Sequence, residues 1–422
     1  MNREQVKRRL LEQEGYVKKV LSKRLVDREK FSLYKKYLEA KLVKAIIGPR
    51  RSGKTTLGML LLEKKSFYYV NFDDEVLAMT KQEELGSLLE ILNELFGRRK
   101  YVFLDEIQNI ESWELFVNRL QRIGFNIVIS GSNSKLLSTE LSSHLGGRVF
   151  TLEVLPFSFT EFLKATGEAI FEETDVGIGM IKNRLKEFML LGGYPEILLE
   201  VTDPELRKNY YEEIFNTVIF KDVSKRFNIR HTSELVSLAN ILMNQFSART
   251  SLTRLSGDLG ISVHTVKKYL SYYEEAYLFL SSKKFSYKPR EMETSFKKYY
   301  CVDTGLLNSK RATLTVDFGK LLENGVAVEL KRRGFELYYC VVDDQYEADF
   351  VVRKGNLIKE VVQVVDDENN LPKRELKTGI LACKSLKCNK LTIITWNKED
   401  KLKEGGVNIC MVPLWRFLLH GK

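Results

Sequence analysis

Cysteine and long apolar runs are both scarce in this chain of 422 residues. All five cysteines lie from Cys301 onward, a distribution that suits free thiols in a reducing cytosol. Cys383 and Cys388 have four residues between them and no second pair at metal spacing, so zinc is only weakly indicated. No run approaches the roughly 18 apolar residues of a membrane helix, and no apolar stretch follows the basic N-terminus. These absences argue against export and membrane insertion and predict a cytoplasmic protein.

Positive charge, in contrast, is in excess. The formal net charge is +11 and the sequence pI is about 9.1, which favours a polyanionic partner without naming it. The first 44 residues hold 14 Lys and Arg against 6 Asp and Glu. Three interpretations of this segment are possible. It forms a solvated helical face, it contacts nucleic acid, or it packs on the next domain through Val17, Val20 and Leu21, which recur at helical spacing. The length and the 44% hydrophobic content predict two to four domains.

A phosphate-binding loop is the most informative motif. Residues 48–55 read G-P-R-R-S-G-K-T, between the apolar runs 42–47 and 57–62. A strand, a glycine-rich turn and a helix in that order surround a pyrophosphate with backbone N–H groups and a positive helix N-terminus, whereas an ordinary glycine turn is the plain alternative. Lys54 then reaches the β- and γ-phosphates and Thr55 binds Mg²⁺. The predicted nucleotide-binding residues are Gly48, Pro49, Arg50, Arg51, Ser52, Gly53, Lys54, Thr55 and Thr56.

Two acids end a second apolar run. Residues 101–104 are Y-V-F-L, typical of a buried parallel strand, and Asp105 and Glu106 follow directly. With the phosphate loop present, we expect Asp105 to hold Mg²⁺ and Glu106 to polarise the attacking water. Without that loop, two acids at a strand end are often solvated turn residues.

Two further short runs fit the same sheet. Residues 67–72 and 126–133 are separated by helical stretches, as in an open parallel α/β sheet. A strand is also expected over residues 149–154. Ser132 and Asn133 then follow a strand beside the phosphate strand, where Asn133 would orient water or touch the γ-phosphate. A helix N-cap is the alternative role for these two residues.

With these motifs in place, the chain resembles AAA-type P-loop ATPases, abundant in archaea and also found in bacteria. The resemblance covers nearly the whole chain and rests on residues 48–56, 104–108, 130–134, 147–149, 155–162, 192–196, 300–306 and 322–326. It implies ATP as the nucleotide, and no guanine-specifying N-K-x-D run appears where a GTPase would carry one. It also implies that Arg148 is presented to the γ-phosphate, in trans if subunits form a ring. Judged by sequence alone, Arg148 is a cation after a Gly-Gly pair and before a strand.

A helical region follows, with long helices expected over 206–220 and 233–246. Residues 251–270 then show the apolar spacing of a helix, a glycine turn and a second helix, typical of a helix-turn-helix. The inward positions are Leu252, Leu255, Leu259, Ile261, Val266 and Leu270. The outward residues predicted to contact DNA are His264, Thr265, Lys267 and Lys268. A lid or protein contact is the alternative use of such a module.

The last section predicts a second α/β unit in which residues 337–342 and 347–353 pair as a hairpin. In the family, this region resembles the PD-(D/E)xK nuclease fold, which binds Mg²⁺ through a helix glutamate, a strand aspartate and a Glu or Gln on the next strand. Glu323, Asp349 and Gln363 match those positions. The lysine position is Val365, which cannot carry charge, so nuclease activity is not expected.

Taken together, these observations predict an α/β protein: a P-loop AAA-type ATPase with a parallel sheet, a helical lid, a winged helix-turn-helix and a C-terminal restriction-nuclease-like domain. The expected limits are 1–41 for a basic helical segment, 42–160 for the ATPase core, 161–232 for the lid, 233–300 for the winged helix and 301–422 for the nuclease-like domain. The expected function is Mg²⁺-dependent ATP hydrolysis that remodels or translocates on DNA, branched DNA included, as an oligomer. The alternative is a nucleotide-gated regulatory or defence switch whose C-terminal domain binds a protein or retains metal-dependent nuclease activity.

Overall fold

The structure is a computed structural model that describes residues 2–23, 25–132, 145, 147–167, 173–311, 317–366 and 373–419. The chain divides into two compact units, Met1–Leu155 and Pro156–Lys422. In the described ranges, we find no helix that is both long and apolar enough to cross a lipid bilayer.

The first unit is built on a parallel sheet of five strands in the order β2-β3-β4-β1-β5. Every neighbouring pair runs parallel, so the carboxyl ends of the strands share one edge. All five strands fall on runs that the sequence predicts, and the predicted parallel α/β sheet is confirmed. The strands are β1 (Val43–Ile47), β2 (Phe67–Asn71), β3 (Tyr101–Asp105), β4 (Asn126–Gly131) and β5 (Val149–Glu153).

Close packing joins this sheet to the helix that follows the phosphate loop. A Cβ added to Gly58 would lie 2.4 Å from the Phe103 ring, so only glycine lets the helix approach β3 this closely. The ring itself is fully buried, with Leu57 and Val128 in the same apolar cluster. The helices of this unit are α1 (Arg3–Leu21), α2 (Phe31–Leu38), α3 (Lys54–Leu62), α4 (Leu85–Phe96) and α5 (Trp113–Arg122).

Helix α1 packs on this unit. Val6, Leu10 and Val17 are buried, and the Gln13 amide pairs with the backbone of Asn71, accepting from its N–H at 2.9 Å and donating to its carbonyl at 3.3 Å. Because β2 is an edge strand, this pairing covers backbone groups that would otherwise be exposed there. Packing is therefore one use of the basic N-terminal segment.

The second unit contains two mixed sheets. The first has the order β10-β9-β7-β8-β6 and the second the order β11-β12-β13-β15-β14. The first sheet is made of β6 (Arg249–Thr250), β7 (Phe279–Lys284), β8 (Lys297–Cys301), β9 (Tyr338–Val342) and β10 (Tyr346–Ala348). The second is made of β11 (Phe350–Lys354), β12 (Leu357–Val364), β13 (Lys390–Thr395), β14 (Asp400–Glu404) and β15 (Val407–Pro413).

The hairpin expected between residues 337–342 and 347–353 is only half formed. β9 pairs antiparallel with β10 as far as Ala348, but β11 leaves that sheet and pairs with β12. Asp349 therefore lies where the chain crosses from one sheet to the other. No turn motif in the sequence predicts this crossing. The first sheet also joins β7 and β8 to β9, so it contains strands from both sides of the domain boundary predicted after residue 300.

Helices of the second unit pack around one large apolar cluster that includes Leu185, Phe215, Leu238 and Leu322. Both expected long helices are present. The one expected over 206–220 is α9 (Pro204–Thr217), which continues into a π-helix at Val218–Lys225, and the one expected over 233–246 is α10 (Thr232–Asn244). The helices are α6 (Phe159–Ala165), α7 (Asp175–Leu191), α8 (Pro195–Glu200), α9 (Pro204–Thr217), α10 (Thr232–Asn244), α11 (Leu252–Leu259), α12 (Val263–Glu275), α13 (Pro289–Thr294), α14 (Thr304–Lys310), α15 (Phe318–Arg332), α16 (Lys373–Ser385) and α17 (Leu414–Leu419).

Candidate functional site

The phosphate loop lies between β1 and α3 and has the backbone that its glycines predict. Gly48 has a φ of +145°, and a Cβ there would lie 2.0 Å from the Val154 carbonyl oxygen. Gly53 has a φ of +89° immediately before α3. Both conformations strongly favour glycine. Lys54 is 5% exposed and donates to the Pro49 carbonyl at 2.8 Å, so its ammonium group folds over the loop.

The remaining loop side chains differ in their surroundings. The Ser52 hydroxyl is buried and has no hydrogen-bond partner among the described residues, so one polar atom of the loop is left for a ligand. Arg50 is 3.5 Å from an Asp73 carboxylate oxygen, and Arg51 is exposed with a φ of +62°. Thr56 is half-buried in the first turn of α3.

The Asp105 carboxylate is the centre of the polar contacts at the end of β3. It is 2% exposed and accepts hydrogen bonds from the hydroxyls of Thr55 at 2.8 Å, Tyr69 at 2.9 Å and Ser130. Burial raises the pKa of Asp105, the charge of Glu106 raises it further, and these three hydroxyls oppose the rise. Each of the three donors is neutral, so these hydrogen bonds bring no positive charge to the carboxylate.

Glu106 follows at a sharp backbone turn, with a φ of +52°. Its backbone N–H donates to the Ser130 hydroxyl at 3.2 Å, so Ser130 contacts both acids. Its carboxylate accepts from the Gln108 side-chain amide at 2.5 Å. The sequence analysis missed Tyr69, Gln108 and Ser130 as site residues, although a serine within the apolar run of β4 was a readable signal.

Of the two remaining predicted catalytic residues, one is not described by the structure and the other lies away from this cluster. Asn133 lies outside the described residues. Arg148 is exposed, and its carbonyl accepts from the Val43 N–H at 3.0 Å at the start of β1. The phosphate loop follows the other end of β1, roughly 16 Å along the strand. Arg148 therefore lies at the opposite edge of the sheet from the phosphate loop of its own chain.

The predicted helix-turn-helix residues lie on α11 and α12. Gly260 turns the chain with a φ of +65°, and Ser262 caps α12 by accepting from the Thr265 N–H at 3.1 Å. His264, Lys267 and Lys268 are exposed, whereas Thr265 is half-buried and its hydroxyl contacts Ser262. Of the inward positions, Leu255, Val266 and Leu270 are buried, and Leu252, Leu259 and Ile261 pack partly buried against the same cluster.

The three nuclease-like residues are brought together in the second unit. Glu323 on α15, Asp349 between the sheets and Gln363 on β12 are each at most 8% exposed. The Asp349 N–H donates to the Gln363 amide oxygen at 3.3 Å, and the Gln363 amide donates to Glu375 at 2.7 Å. Two residues that the sequence analysis did not select, Lys298 and Glu347, complete the cluster.

Val365, at the expected lysine position, is buried in an apolar cluster. Within the described ranges, no group of three or more His, Cys, Asp or Glu residues is arranged to hold a metal ion.

Comparisons with known proteins agree with the first unit's geometry. Residues 40–163 match the model of the AAA domain family, and residues 182–316 match a domain of unknown function. The AAA-type part of the predicted resemblance is thereby confirmed, and the winged-helix and nuclease-like parts stay predictions.

Two full-length relatives are similar to the chain. An uncharacterised protein of Methanocaldococcus jannaschii is 36% identical over 398 residues, which are 89% of this chain and 88% of the relative. An uncharacterised protein of Haemophilus influenzae is 28% identical over 413 residues, or 94% and 99% of the two chains. Among solved structures, a Walker-type ATPase of Pyrococcus abyssi matches 68% of this chain and 96% of its own, at 16% identity and a TM-score of 0.43. The identity to the Methanocaldococcus jannaschii protein over most of both lengths shows that the chain belongs to the same family as that relative, and in this chain residues 40–163 match the AAA domain.

Proposed function

We propose that the protein is a Mg²⁺-dependent ATPase that acts on DNA as an oligomer. The observation that carries the proposal is the contact between Thr55, the last residue of the phosphate loop, and Asp105, at 2.8 Å. These are the two side chains that P-loop ATPases use at the metal, and here they come from the ends of adjacent elements.

The residues fit a nucleotide and its metal. The Thr55 hydroxyl and the Asp105 carboxylate are oxygen donors, which Mg²⁺ prefers. The glycine backbone, the buried Lys54 and the unpartnered Ser52 hydroxyl form a cradle suited to phosphates. Mg²⁺ held by Thr55 and Asp105 would supply positive charge that offsets the negative charge of the phosphates.

Glu106 is the proposed general base. It follows the strand end beside Asp105, where its backbone N–H donates to Ser130 and its carboxylate accepts from Gln108. Orientation of water by such a group contributes on the order of 10²- to 10⁴-fold to turnover. Because Arg148 lies at the far edge of its own sheet, it would act only on the nucleotide of a neighbouring subunit.

DNA contact is assigned to the helix-turn-helix. The order α10, β6, α11, α12, β7, β8 is that of a winged helix, and α12 presents His264, Lys267 and Lys268 to solvent. The lysines would neutralise phosphates, and Thr265, half-buried at the start of α12, is the weaker candidate contact. The residue limits of the five predicted domains are likewise proposals.

The C-terminal sheet is proposed to have a nuclease-like fold that does not cut DNA. Parallel β12 and β13 are connected through α16, and Glu323, Asp349 and Gln363 lie at neighbouring positions. Val365 supplies no cation at the position where the PD-(D/E)xK pattern has its lysine.

The nucleotide-switch alternative is favoured by one contact. The Gln108 amide donates to the Glu106 carboxylate at 2.5 Å. While this hydrogen bond restrains the base, the protein would hydrolyse ATP slowly, until a partner released Glu106. ATPase assays across single-stranded, duplex and branched DNA separate the two functions. A motor shows severalfold stimulation by DNA and nucleotide-dependent oligomers by light scattering. A switch retains nucleotide and turns over slowly with every DNA. A protein that binds no nucleoside triphosphate with Mg²⁺ present would contradict both.

A further inference from the structure

A lysine side chain fills the centre of the acidic cluster in the second unit. The Lys298 ammonium nitrogen is 2.7 Å from a Glu347 oxygen, 2.9 Å from a Glu323 oxygen and 3.7 Å from an Asp349 oxygen. The lysine is 2% exposed, so water contributes little to its solvation and these carboxylates supply it instead.

The four charged residues come from different elements, so the tertiary fold alone brings them together. Lys298 lies on β8, Glu323 on α15, Glu347 on β10, and Asp349 at the crossing to β11. Lys297, its neighbour on β8, pairs instead with the half-exposed Glu274 at 3.0 Å. Two adjacent lysines on one strand therefore have opposite environments.

Several of the carboxylate oxygens that a metal ion would need already have partners. The Glu323 oxygen that contacts Lys298 also accepts from the Tyr300 hydroxyl at 2.7 Å. The second oxygen of Glu347 is 3.0 Å from Arg249, and the second oxygen of Asp349 accepts from the Val364 N–H at 2.8 Å. A divalent ion binds oxygens directly, at about 2.0–2.6 Å. The residues therefore do not fit the Mg²⁺ site that the nuclease resemblance implies.

Charge balance explains why a cation is needed here at all. Buried carboxylates without a counter-charge are costly, and removal of one partner leaves the others uncompensated. Burial raises the pKa of Glu323 and of Asp349, and the nearby Lys298 charge opposes both shifts. The Lys298 ammonium, bonded to two carboxylates and near a third, supplies one positive charge, and Arg249, 3.0 Å from Glu347, supplies a second.

We propose that the Lys298 ammonium is the resident cation of this nuclease-like cluster, in place of a divalent metal, and that it ties β8 to α15, β10 and the sheet crossing. The intact protein then needs no metal in this unit. Removal of the lysine is expected to leave a carboxylate cage that accepts one.

The test uses the full chain without nucleotide, so that metal held with ATP in the first unit does not contribute. Thermal unfolding and Mn²⁺ binding, the latter by electron paramagnetic resonance, are compared in EDTA and in MnCl₂. For the wild type we expect no Mn²⁺-dependent shift in melting temperature. Lys298→Met is expected to melt roughly 10 °C lower in EDTA, to recover part of that decrease in Mn²⁺, and to bind Mn²⁺ at least about tenfold more tightly than the wild type.

Two companion variants keep the test decisive. Lys297→Met removes the same charge from the same strand and is expected to behave as the wild type towards Mn²⁺. Lys298→Met combined with Glu323→Gln reduces the uncompensated charge, so it should melt higher than Lys298→Met in EDTA and show no response to Mn²⁺.

Two results would overturn the proposal. One is that the wild-type chain binds Mn²⁺ and that Glu323→Gln abolishes this binding. The other is that Lys298→Met folds but gains no affinity for Mn²⁺. If Lys298→Met does not fold, the wild type and Glu323→Gln decide: absence of Mn²⁺ binding in both supports the proposal. Nucleotide binding, measured separately on each variant, should be unchanged. Its absence in the wild type would count against the proposed ATPase alone.

Discussion

Two buried acidic sites, one in each unit, solve the same electrostatic problem in different ways. Asp105 in the first unit is bonded to three neutral hydroxyls, from Thr55, Tyr69 and Ser130. The acidic cluster of the second unit is bonded to the ammonium of Lys298. Burial raises the pKa of the aspartate in both places, so the carboxylate chemistry is shared and the donors differ.

The type of donor determines what each site still requires. A hydroxyl can donate to a carboxylate in one state and turn its lone pairs to a metal in another, without any change in charge. An ammonium group has no lone pair and already brings the positive charge. The comparison teaches that a cluster of buried acids indicates a metal site only when its donors leave the negative charge uncancelled.

Among the variants that test this comparison, Glu106→Gln is expected to change activity the most. The variant keeps the size of the side chain and one acceptor oxygen but cannot act as a base. We expect kcat for ATP to fall about 1000-fold while nucleotide affinity is unchanged. A phosphate-release assay measures the first and titration with a fluorescent nucleotide the second. Glu111→Gln, at an exposed position, is the control, and unaltered hydrolysis in Glu106→Gln would remove this residue from its role.

Lys54→Ala should weaken nucleotide binding by roughly 30- to 150-fold, because a buried ammonium group that bonds phosphates contributes roughly 2–3 kcal/mol. Isothermal titration calorimetry with ATP and Mg²⁺ measures the decrease. Lys64→Ala removes an exposed lysine just beyond the end of α3 and should bind ATP as the wild type does. Equal affinity in the two variants would contradict a nucleotide in the phosphate loop.

Exposed lysines offer a contrast with the buried Lys298. Replacing Lys267 and Lys268 together with Ala should weaken DNA binding about tenfold and lower the salt slope of log K by roughly 2 units, one for each lysine that no longer neutralises a phosphate. Fluorescence anisotropy over a range of salt concentrations measures both quantities. Lys401→Ala with Lys403→Ala makes the same change of charge on β14 and serves as the control. An unchanged slope in the α12 variant would exclude this helix from the DNA interface.

The smallest effect is expected for Tyr69→Phe, which removes one of the three hydroxyl donors to Asp105. The absence of one neutral hydrogen bond, about 1 kcal/mol, should raise the Mg²⁺ concentration for half-maximal turnover about fivefold. Tyr68→Phe is a matched control, since the Tyr68 hydroxyl donates to the Gly97 carbonyl at 2.6 Å instead. Equal Mg²⁺ dependence in both variants would mean that Tyr69 does not position Asp105.

Features that depend on local spacing were readable in the chain itself. The loop at residues 48–55, the acids Asp105 and Glu106, and the five strands of the first sheet all follow from short runs whose residue order determines the backbone. The glycine turn between α11 and α12 and the serine that caps α12 are local in the same way.

Features that depend on which strands become neighbours were decided by the tertiary structure. Tyr69 and Ser130 reach Asp105 only because β2, β3 and β4 are adjacent, and Arg148 is far from its own loop only because β5 runs parallel to β1. No local pattern marks Lys298, since its charged partners are 25 to 51 residues away along the chain. The hairpin prediction missed the crossing at Asp349 for the same reason. These contacts form when residues that are far apart in the sequence are buried together. A local sequence pattern does not show which distant residues will become neighbours.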